Sequence, residues 1–280
     1  MTSAQPIIAL NDGTTVPQLG FGVWEIGDDA TVSVLKAAFA AGFRHIDCAQ
    51  AYGNERGVGR AVRASDLIRT DLFVTTKMRT SHFAHDKALK SVEDSLERMG
   101  LDYVDLFLLH WPVPSHDGLF VAAWKALIEM REAGRIRSIG VSNFLPEHLD
   151  RLIGETGIPP AVNQLELHPR FQQRDVRAVH DKLGIAIACY SPLGRGALLD
   201  EPAVAKIAKA HAKSPAQAII RWHLQQGLIV LPKTATLSRI AENFDVFDFD
   251  LSEAEMAAIG ALDRPDGRIL PDPRHMNNLF

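Results

Sequence analysis

The chain alternates between short apolar segments and longer stretches with helical periodicity. Eight apolar segments recur: VPQLGFGV, FRHID, LFVTTK, VDLFLLH, RSIGVS, AVNQLEL, IAIACYSP and GLIVLPK. Several are almost continuously apolar, which is typical of parallel strands covered on both faces. Every gap between them is long enough for a parallel crossover connection, and each carries a helix-like pattern such as KALKSVEDSLERMG. Eight strand–helix units without a linker-like segment predict a single α/β domain over residues 1–280, folded as a (β/α)8 TIM barrel.

Three segments lie outside this regular pattern. IIALNDGTTV is typical of a β-hairpin, because Asn11-Asp12-Gly13 offers the positive φ that a tight turn requires. The gap between IAIACYSP and GLIVLPK holds two helical patterns, around Pro202–Ala212 and Pro215–Gln226, so one helix is additional to the repeat. The tail after Leu262 is rich in proline and polar residues. We expect an irregular C-terminal loop there that lies over the barrel mouth.

Composition and charge argue against several classes of protein. The formal net charge of -4 and the pI near 6.3 create no general basic field, so neither nucleic acid nor an anionic membrane is an expected partner. The two cysteines, Cys48 and Cys189, lie inside apolar segments, which suits a reducing compartment rather than a disulfide framework. The N-terminus MTSAQPIIAL lacks the pattern of a secretion signal, and no apolar run approaches the roughly 18 residues of a membrane span. We therefore expect a cytoplasmic protein.

Four polar residues lie at or just after the ends of three successive apolar runs. Asp47, Lys77 and His110 close strand-like segments, and Tyr52 follows in the loop AQAYGNE. In a barrel these strand ends form the active-site face. Carbonyl reduction needs a proton donor and a group that stabilises charge developing on oxygen. We predict that Tyr52 donates the proton, that Lys77 lowers its pKa, that Asp47 holds Lys77, and that His110 hydrogen-bonds the carbonyl oxygen.

The loops of the barrel must bind any nucleotide cofactor, because no dinucleotide fingerprint is present. Gly57-Val58-Gly59 and Gly194-Arg195-Gly196 lack the full G-x-G-x-x-G spacing. In PKTATLSRIAEN, Lys233 and Thr234 leave the last strand and Arg239 lies near the start of a helix, whose N-terminus attracts phosphate. This cluster suits the 2′-phosphate of NADPH and favours NADPH over NADH.

Together these motifs resemble those of the aldo-keto reductase family along nearly the whole chain. GFRHIDCAQAYGNERGVG resembles the family's Asp-x4-Tyr-Gly-Asn-Glu signature, LLHWP its histidine motif, and LIVLPKTATLSRIAENFDVF its cofactor phosphate-binding segment. Within the family, the short loops and the DGRI…DP tail are most similar to bacterial enzymes of the diketogluconate reductase group. The resemblance implies a monomeric TIM barrel that transfers a hydride from NADPH to a carbonyl substrate, with the same four tetrad roles.

The resemblance also implies which residues bind the cofactor and the substrate. Those implied at the nicotinamide are Ser142, Asn143 and Gln164 on the carboxamide, with Tyr190 stacked on the ring. Those implied along the pyrophosphate are Ser191, Leu193, Gly194 and Arg195, and those on the adenine side are Glu242 and Asn243. Trp24 and Trp111 would line an apolar mouth suited to small aldehydes, dicarbonyls or keto-sugars.

Two other classes of function stay open at the level of sequence. His45 and Asp47 lie two positions apart on one strand and His110 ends another, a set that can bind zinc in a metal-dependent barrel hydrolase. There is no paired His-x-His motif, and Lys77 would place a cation beside the metal, so we expect no metal ion. The second class is a barrel that binds NADPH as a sensor or subunit without turnover. The complete tetrad argues against it.

Two smaller expectations concern thiol and imidazole side chains. Cys48 follows Asp47, where the family often has threonine, and strand alternation should turn its side chain away from the site. We hypothesise that Cys48, as a free thiol near the site, makes the activity sensitive to oxidation. The histidines in polar stretches are predicted at the surface; they are His82, His85, His116 and His180.

Overall fold

An antiparallel hairpin precedes the barrel in the computed structural model, which describes residues 5–280. Strand β1 (Ile7–Ala9) pairs with β2 (Thr15–Pro17), and Gly13 in the turn has a φ of 88°. Leu10 and Val16 pack into the same apolar cluster as the inward-facing side chains of the barrel strands. The predicted hairpin is confirmed, and it covers the end of the barrel opposite the active-site face.

Eight parallel strands form the barrel, and each pairs with the next one along the chain. They are β3 (Gly20–Gly22), β4 (His45–Asp47), β5 (Phe73–Met78), β6 (Val104–Leu109), β7 (Ile136–Ser142), β8 (Val162–Glu166), β9 (Ala186–Tyr190) and β10 (Ile229–Val230). A parallel bridge between Leu19 and Val230 joins the first strand to the last and closes the barrel. The predicted TIM barrel is confirmed.

Ten helices surround the strands in the described part of the chain. They are α1 (Asp28–Ala41), α2 (Glu55–Arg63), α3 (His85–Met99), α4 (Leu119–Glu132), α5 (Pro146–Thr156), α6 (Arg174–Leu183), α7 (Pro202–Ala210), α8 (Pro215–Leu224), α9 (Leu237–Phe244) and α10 (Glu253–Gly260). Both α7 and α8 lie between β9 and β10, so the additional helix is confirmed. Within residues 5–280, none of these helices combines the length and the apolar character that crossing a bilayer requires.

Strand alternation divides the core into an inner and an outer part. On β6, Leu106 and Leu108 point into the barrel, where they join the inner cluster with the hairpin. Phe107 and Leu109 point outward and pack against the helices. Because successive side chains of a strand point to opposite faces, the two sets never mix. Each fully buried side chain of this size contributes roughly 1.5–3 kcal/mol to folding.

The same alternation places a ring of polar side chains at the upper end of the barrel. Residues in phase with the inward set at the C-terminal strand ends are Asp47, Lys77, His110, Ser142, Gln164 and Tyr190. The register confirms this layer: Asp47 lies opposite Gly22 on one side, and Ser142 lies opposite Gln164. Strand periodicity, rather than loop conformation, therefore fixes most of the polar groups at the mouth.

The tail after α10 contains neither helix nor strand and crosses the mouth of the barrel. At its far end, Thr80 Oγ1 donates to the Asn278 carbonyl at 2.9 Å, and Ser81 Oγ donates to a terminal Phe280 oxygen at 2.9 Å. Leu270 and Phe280 both line the cavity at the mouth. The irregular C-terminal loop predicted over the mouth is confirmed.

Candidate active site

A cavity of about 930 Å³ opens at the C-terminal ends of the barrel strands. That volume lies near the upper end of the roughly 300–1,000 Å³ typical of small-molecule and cofactor sites. Asp47, Tyr52 and His110 line its floor, and the loops after β7, β9 and β10 form one wall. Lys77 lies directly behind this floor and has no exposed surface. The structure thus brings the four residues of the predicted tetrad together.

Lys77 connects the tetrad through hydrogen bonds. Its Nζ donates to Asp47 Oδ2 at 2.7 Å, to the Cys48 carbonyl at 2.9 Å and to the Tyr52 hydroxyl at 3.2 Å. Burial acts to lower the pKa of Lys77, but the Asp47 carboxylate and the Tyr52 oxygen act to raise it, and the net direction is upward. Lys77 is therefore a charged ammonium held against the phenol oxygen. Asp47 is fixed in turn by Gln164, whose Nε2 donates to Oδ1 at 2.7 Å.

Tyr52 has a raised pKa, although Lys77 acts to lower it as predicted. Burial raises the pKa of Tyr52 to about 12, while the charge of Lys77 acts in the opposite direction and is outweighed. The desolvation of the phenol was not visible in the sequence. Tyr52 therefore stays protonated at neutral pH, which is the state that a proton donor requires. Lys77 then stabilises the phenolate that proton transfer would leave behind.

His110 lies beside Tyr52 as a neutral imidazole. The two rings meet edge to face, with centroids 6.0 Å apart, and the Phe280 ring lies 5.6 Å from His110 on another side. Burial, with the charges of Lys77 and Arg79, lowers the pKa of His110 well below its ordinary value. Its buried Nδ1 has no hydrogen-bond partner within residues 5–280. A neutral imidazole can donate one hydrogen bond without competing with Tyr52 for the proton.

Most of the residues predicted to bind a cofactor line the same cavity. They are Ser142, Asn143, Gln164, Tyr190, Ser191, Leu193, Arg195, Lys233, Thr234, Arg239, Glu242 and Asn243. Gly194 is the exception, because it is buried beneath the loop, and a Cβ there would lie 2.9 Å from Leu198. Its φ of 57° and that of Arg195, 54°, give the loop its left-handed conformation. Gly194 therefore shapes the wall without forming its surface.

The side chains predicted to contact the nicotinamide are fixed by hydrogen bonds among themselves and to the neighbouring backbone. The Tyr190 hydroxyl donates to Asn143 Oδ1 at 2.7 Å, and Asn143 Nδ2 donates to the His110 carbonyl at 3.0 Å. Ser142 Oγ donates to the Gln164 carbonyl at 2.9 Å. Asn143 has a φ of 66°, a conformation that asparagine adopts more readily than most residues. These bonds fix the wall next to the tetrad before any ligand binds.

A basic cluster lies at the opposite end of the cavity. Lys233 and Thr234 follow β10, and exposed Arg239 lies in the first turn of α9. Neither cation pairs with a carboxylate in the part of the chain from residue 5 to 280. Two unpaired cations beside a helix N-terminus fit a phosphate group.

Two tryptophans form the apolar rim of the cavity, as predicted for the substrate mouth. Trp111 is 8% exposed and Trp24 is 39% exposed. The guanidinium of Arg195 lies 4.8 Å from the Trp24 ring centroid, so a predicted cofactor residue stacks on a predicted substrate residue.

Several residues line the cavity that were not predicted from the sequence. They are Gly22, Glu25, Ala51, Pro192, Gly196, Leu199, Ser214, Pro215, Ala216, Leu231, Pro232 and Leu270. A signal existed for one group only: Ser214 caps α8 through a capping box with Gln217, which marks a helix start. Nothing in the sequence indicated that this helix start faces the cavity.

The side chains of the metal alternative are committed to other contacts. His45 Nδ1 lies 3.3 Å from the Pro17 carbonyl, and Nε2 lies 3.1 Å from Thr75 Oγ1. Both oxygens of Asp47 are also bonded, to Lys77 and to Gln164. A zinc ion would have to displace these partners and would stand next to an ammonium. The contacts therefore disfavour the hydrolase class.

Cys48 points away from the cavity, as strand alternation predicted. It packs in the core between barrel and helices, and its Sγ lies 3.2 Å from Asn54 Oδ1. Burial raises the pKa of the thiol well above its ordinary value, with Glu55 acting in the same direction. Because oxidation proceeds through the thiolate, the structure gives the oxidation hypothesis no support.

One of the histidines predicted at the surface is fully buried, and that prediction was wrong. His180 lies on the inner face of α6, where Nε2 contacts Asn163 Nδ2 at 2.7 Å and Nδ1 contacts the Val176 carbonyl at 2.7 Å. The polar residues around it in the sequence occupy the other faces of the helix. Local composition concealed the helical periodicity that turns His180 inward.

The chain belongs to the aldo/keto reductase family, whose model matches residues 18–264. It is 53% identical to an aldo-keto reductase of Mycobacterium sp. strain KMS, over 97% of this chain and 98% of that one. It is 45% identical to the methylglyoxal reductase DkgA of Escherichia coli strain K12, over 95% of this chain and 96% of that one.

Solved structures agree with this membership. A crystal structure of a Gox0644 variant in complex with NADPH has a TM-score of 0.94 and 45% identity, and covers 98% of this chain and 99% of that one. A crystal structure of a putative 2,5-diketo-D-gluconic acid reductase B has a TM-score of 0.90 and 39% identity, and covers 96% of this chain and 94% of that one. The predicted resemblance to the diketogluconate reductase group is confirmed.

Proposed function

We propose that this chain is an oxidoreductase that reduces the carbonyl group of a small molecule with NADPH. The observation that carries the proposal is the buried chain of contacts from Asp47 through Lys77 to the Tyr52 hydroxyl at the floor of the cavity. Lys77 is not an ordinary solvated lysine at a strand end, because it has no exposed surface. The buried contacts among Asp47, Lys77 and Tyr52 therefore support a role of the tetrad in proton transfer.

The residues at the two ends of the cavity fit the cofactor. Lys233 and Arg239, without carboxylate partners among residues 5–280, would hold the 2′-phosphate, and Thr234 would add a hydroxyl. Asn143, Gln164 and Ser142 would hold the carboxamide beside the tetrad. NADPH, when bound, supplies the hydride that adds to the carbonyl carbon. The solved relative in complex with NADPH supports this choice of cofactor.

The tetrad completes the reaction at the carbonyl oxygen. The Tyr52 hydroxyl and the neutral imidazole of His110 would both donate hydrogen bonds to that oxygen and stabilise its developing charge. As the carbon is reduced, the Tyr52 O–H bond breaks, its proton forms the O–H bond of the alcohol, and phenolate is left. Lys77 stabilises the phenolate, which regains a proton from solvent before the next turnover. Asp47 positions Lys77 throughout.

The charge of the cavity favours uncharged carbonyl substrates. Part of the cavity lining is apolar; it is formed by Trp24, Ala51, Trp111, Leu270 and Phe280. Among the described residues, the permanently charged cations that line the cavity are Arg195, Lys233 and Arg239, which the cofactor phosphates would neutralise. Glu25 adds a negative charge at the rim. Small aldehydes and dicarbonyls therefore fit better than keto-sugar acids that carry a carboxylate.

We propose a cytoplasmic monomer that forms one domain over residues 1–280. Its two buried, unpaired cysteines support a reducing compartment. The alternative of a sensor that binds NADPH without turnover is disfavoured, because such a protein needs no charged lysine buried against a phenol.

The experiment is steady-state oxidation of NADPH, and separately of NADH, by the purified protein. Methylglyoxal and glyoxylate serve as matched small aldehydes that differ in charge, and Tyr52→Phe is the paired control. We expect faster turnover with NADPH, a higher kcat/KM for methylglyoxal, and a loss of about 100-fold or more in the variant. Binding of NADPH without turnover of either aldehyde by the wild type would favour the sensor.

A further inference from the structure

A second buried carboxylate lies at the mouth of the barrel, outside the tetrad. Glu166 is the last residue of β8, two positions beyond Gln164, so its side chain points to the same inner face. It is 1% exposed. His168 Nε2 lies 3.1 Å from Glu166 Oε1. A carboxylate this deeply buried needs several donors to offset its desolvation.

The other donors to Glu166 come from the tail that crosses the mouth. The backbone N–H of Ile269 donates to Oε1 at 2.6 Å, and that of Leu270 donates to Oε2 at 2.9 Å. Leu270 lines the cavity, whereas the Ile269 side chain is 42% exposed. One side chain on a barrel strand therefore binds two consecutive amides of the tail more than 100 positions further along the chain.

Other contacts hold the tail before Leu270: Gln172 N donates to Asp263 Oδ1 at 2.9 Å, and the Arg268 guanidinium lies 4.6 Å from the Phe171 ring centroid. Further contacts lie at the far end of the tail. Ser115 N donates to Asn277 Oδ1 at 2.9 Å, and His116 Nε2 lies 3.0 Å from the Asn277 carbonyl. Together with the bonds of Thr80 and Ser81 described above, these fix the end that carries Phe280. The tail is therefore held on both sides of Leu270, and Glu166 is the anchor that binds the backbone of Ile269 and Leu270 themselves.

We propose that Glu166 is a positioning residue for carbonyl reduction, which fixes the tail as a wall of the substrate pocket. This inference rests on the proposed function. Each carboxylate oxygen accepts a hydrogen bond from one backbone amide, so the interaction depends on both the negative charge and the two acceptor oxygens. A glutamine side chain would offer one oxygen and one N–H group, and the N–H group would face an amide donor. Loss of this anchor would let Leu270 move away from the cavity while the tetrad stays in place.

The first test compares Glu166→Gln with Asp105→Asn. Asp105 is a matched control, because it is also buried and accepts a backbone N–H, from Val74 at 2.9 Å, but it lies near the N-terminal end of β6. In Glu166→Gln we expect faster amide hydrogen exchange at Leu270 and a KM for methylglyoxal raised about tenfold, the effect of one weakened hydrogen bond to a charged group. The kcat and the Kd for NADPH should stay near the wild-type values, and Asp105→Asn should change neither tail exchange nor KM.

The second test leaves the core intact. Ile269→Pro removes one amide donor to Glu166 at a position whose side chain is largely exposed, and Ile269→Ala keeps the donor. We expect the proline variant to show the raised KM and the faster exchange at Leu270, and the alanine variant to match the wild type. Unchanged exchange and KM in both Glu166→Gln and Ile269→Pro would overturn the proposal, and so would a fall in kcat with KM unchanged. Tail exchange is measured without turnover, so this test stays informative even if wild-type reductase activity is absent.

Discussion

Lys77 is a residue whose chemical role outweighs its contribution to stability. A lysine with no exposed surface loses its hydration, and the Asp47 carboxylate at 2.7 Å only compensates for that loss. Apolar residues of similar volume in place of both Lys77 and Asp47 would fold about as well. The ammonium is retained because it contacts the Tyr52 hydroxyl, where a charge is useful only if that phenol gives up a proton.

The change Lys77→Met tests this role. It removes the charge that stabilises the Tyr52 phenolate, so we expect kcat to fall by about 10²–10⁴-fold. It also leaves the buried Asp47 carboxylate without its counter-ion, which should lower the free energy of unfolding by roughly 3–5 kcal/mol. Steady-state kinetics and urea unfolding measure the two effects. Exposed Lys36 on α1 provides the control Lys36→Met, and near wild-type turnover in Lys77→Met would rule out the role.

At the residue scale, the sequence predicted which residues form the tetrad better than it predicted their pKa values. The apolar runs before Asp47, Lys77 and His110 were sufficient to place all three at the barrel mouth. The lowering effect of Lys77 on the pKa of Tyr52 was predicted correctly, but the net rise was not, because desolvation outweighs it and depends on parts of the chain that only folding brings together. Such burial has no local signature in the chain.

Among the elements, helix α2 requires glycine at two positions where it packs closely against its neighbours. Gly57 and Gly59 lack the full spacing of a dinucleotide fingerprint. The structure gives their purpose: a Cβ on Gly59 would lie 1.9 Å from the Met99 carbonyl oxygen, and a Cβ on Gly57 would lie 2.2 Å from that of Asp28. Both glycines let α2 approach the backbone of its neighbours closely.

Gly59→Ala and Gly154→Ala form a matched pair that separates packing from helix propensity. In an open helical position, alanine stabilises a helix by roughly 0.5–1 kcal/mol relative to glycine. Exposed Gly154 on α5 has no atom near its missing Cβ, so Gly154→Ala should raise the free energy of unfolding by about that amount. Gly59→Ala should instead lower it by about 1–3 kcal/mol or more, since a backbone must shift. Equal effects in thermal unfolding would refute the packing explanation.

Elements differed in how well the sequence predicted them. The strands followed from continuous apolar runs, and α8 followed from its helical pattern. Helix α10 was not predicted, although Ser252 and Glu255 form a capping box that marks its start. Its short length and its position just before the irregular tail concealed it.

For the whole molecule, stability and pH are connected through buried histidines. Burial lowers the pKa of His45 to about 4, with Asp47 acting in the opposite direction, and its ring nitrogens contact Pro17 and Thr75 as a neutral imidazole would. The unfolded chain binds a proton at His45 below its ordinary pKa near 6.5, and the folded chain does so only near 4. The unfolded state therefore gains protons first, and folding is destabilised as pH falls through this window.

We expect His45 to account for about 3 kcal/mol of lost stability between pH 6.5 and 4, from about 1.4 kcal/mol per unit of pKa difference. Urea unfolding of wild type and His45→Asn at several pH values measures it. The variant should be less stable at pH 7 but should show a shallower dependence on pH. The exposed His275 serves as control, because His275→Gln should keep the wild-type slope. Parallel slopes in wild type and His45→Asn would contradict this assignment.

At the same scale, the barrel was the most predictable feature, because eight repeats of one pattern reinforce each other. Contacts between distant segments were the least predictable. Neither the bonds from Glu166 to the tail nor the stacking of Arg195 on Trp24 could be read from either segment alone.

The most direct test of the central claim is to follow the hydrogen atom itself. Wild type and Tyr52→Phe would be mixed with methylglyoxal and NADPH that carries deuterium at both C4 positions, and the product would be analysed by mass spectrometry and NMR. We predict one deuterium on the carbinol carbon of the wild-type product, and a rate at least about 100-fold lower in the variant. A product without deuterium, or equal rates in the two proteins, would contradict the assignment of this chain as a carbonyl reductase with Tyr52 as its acid.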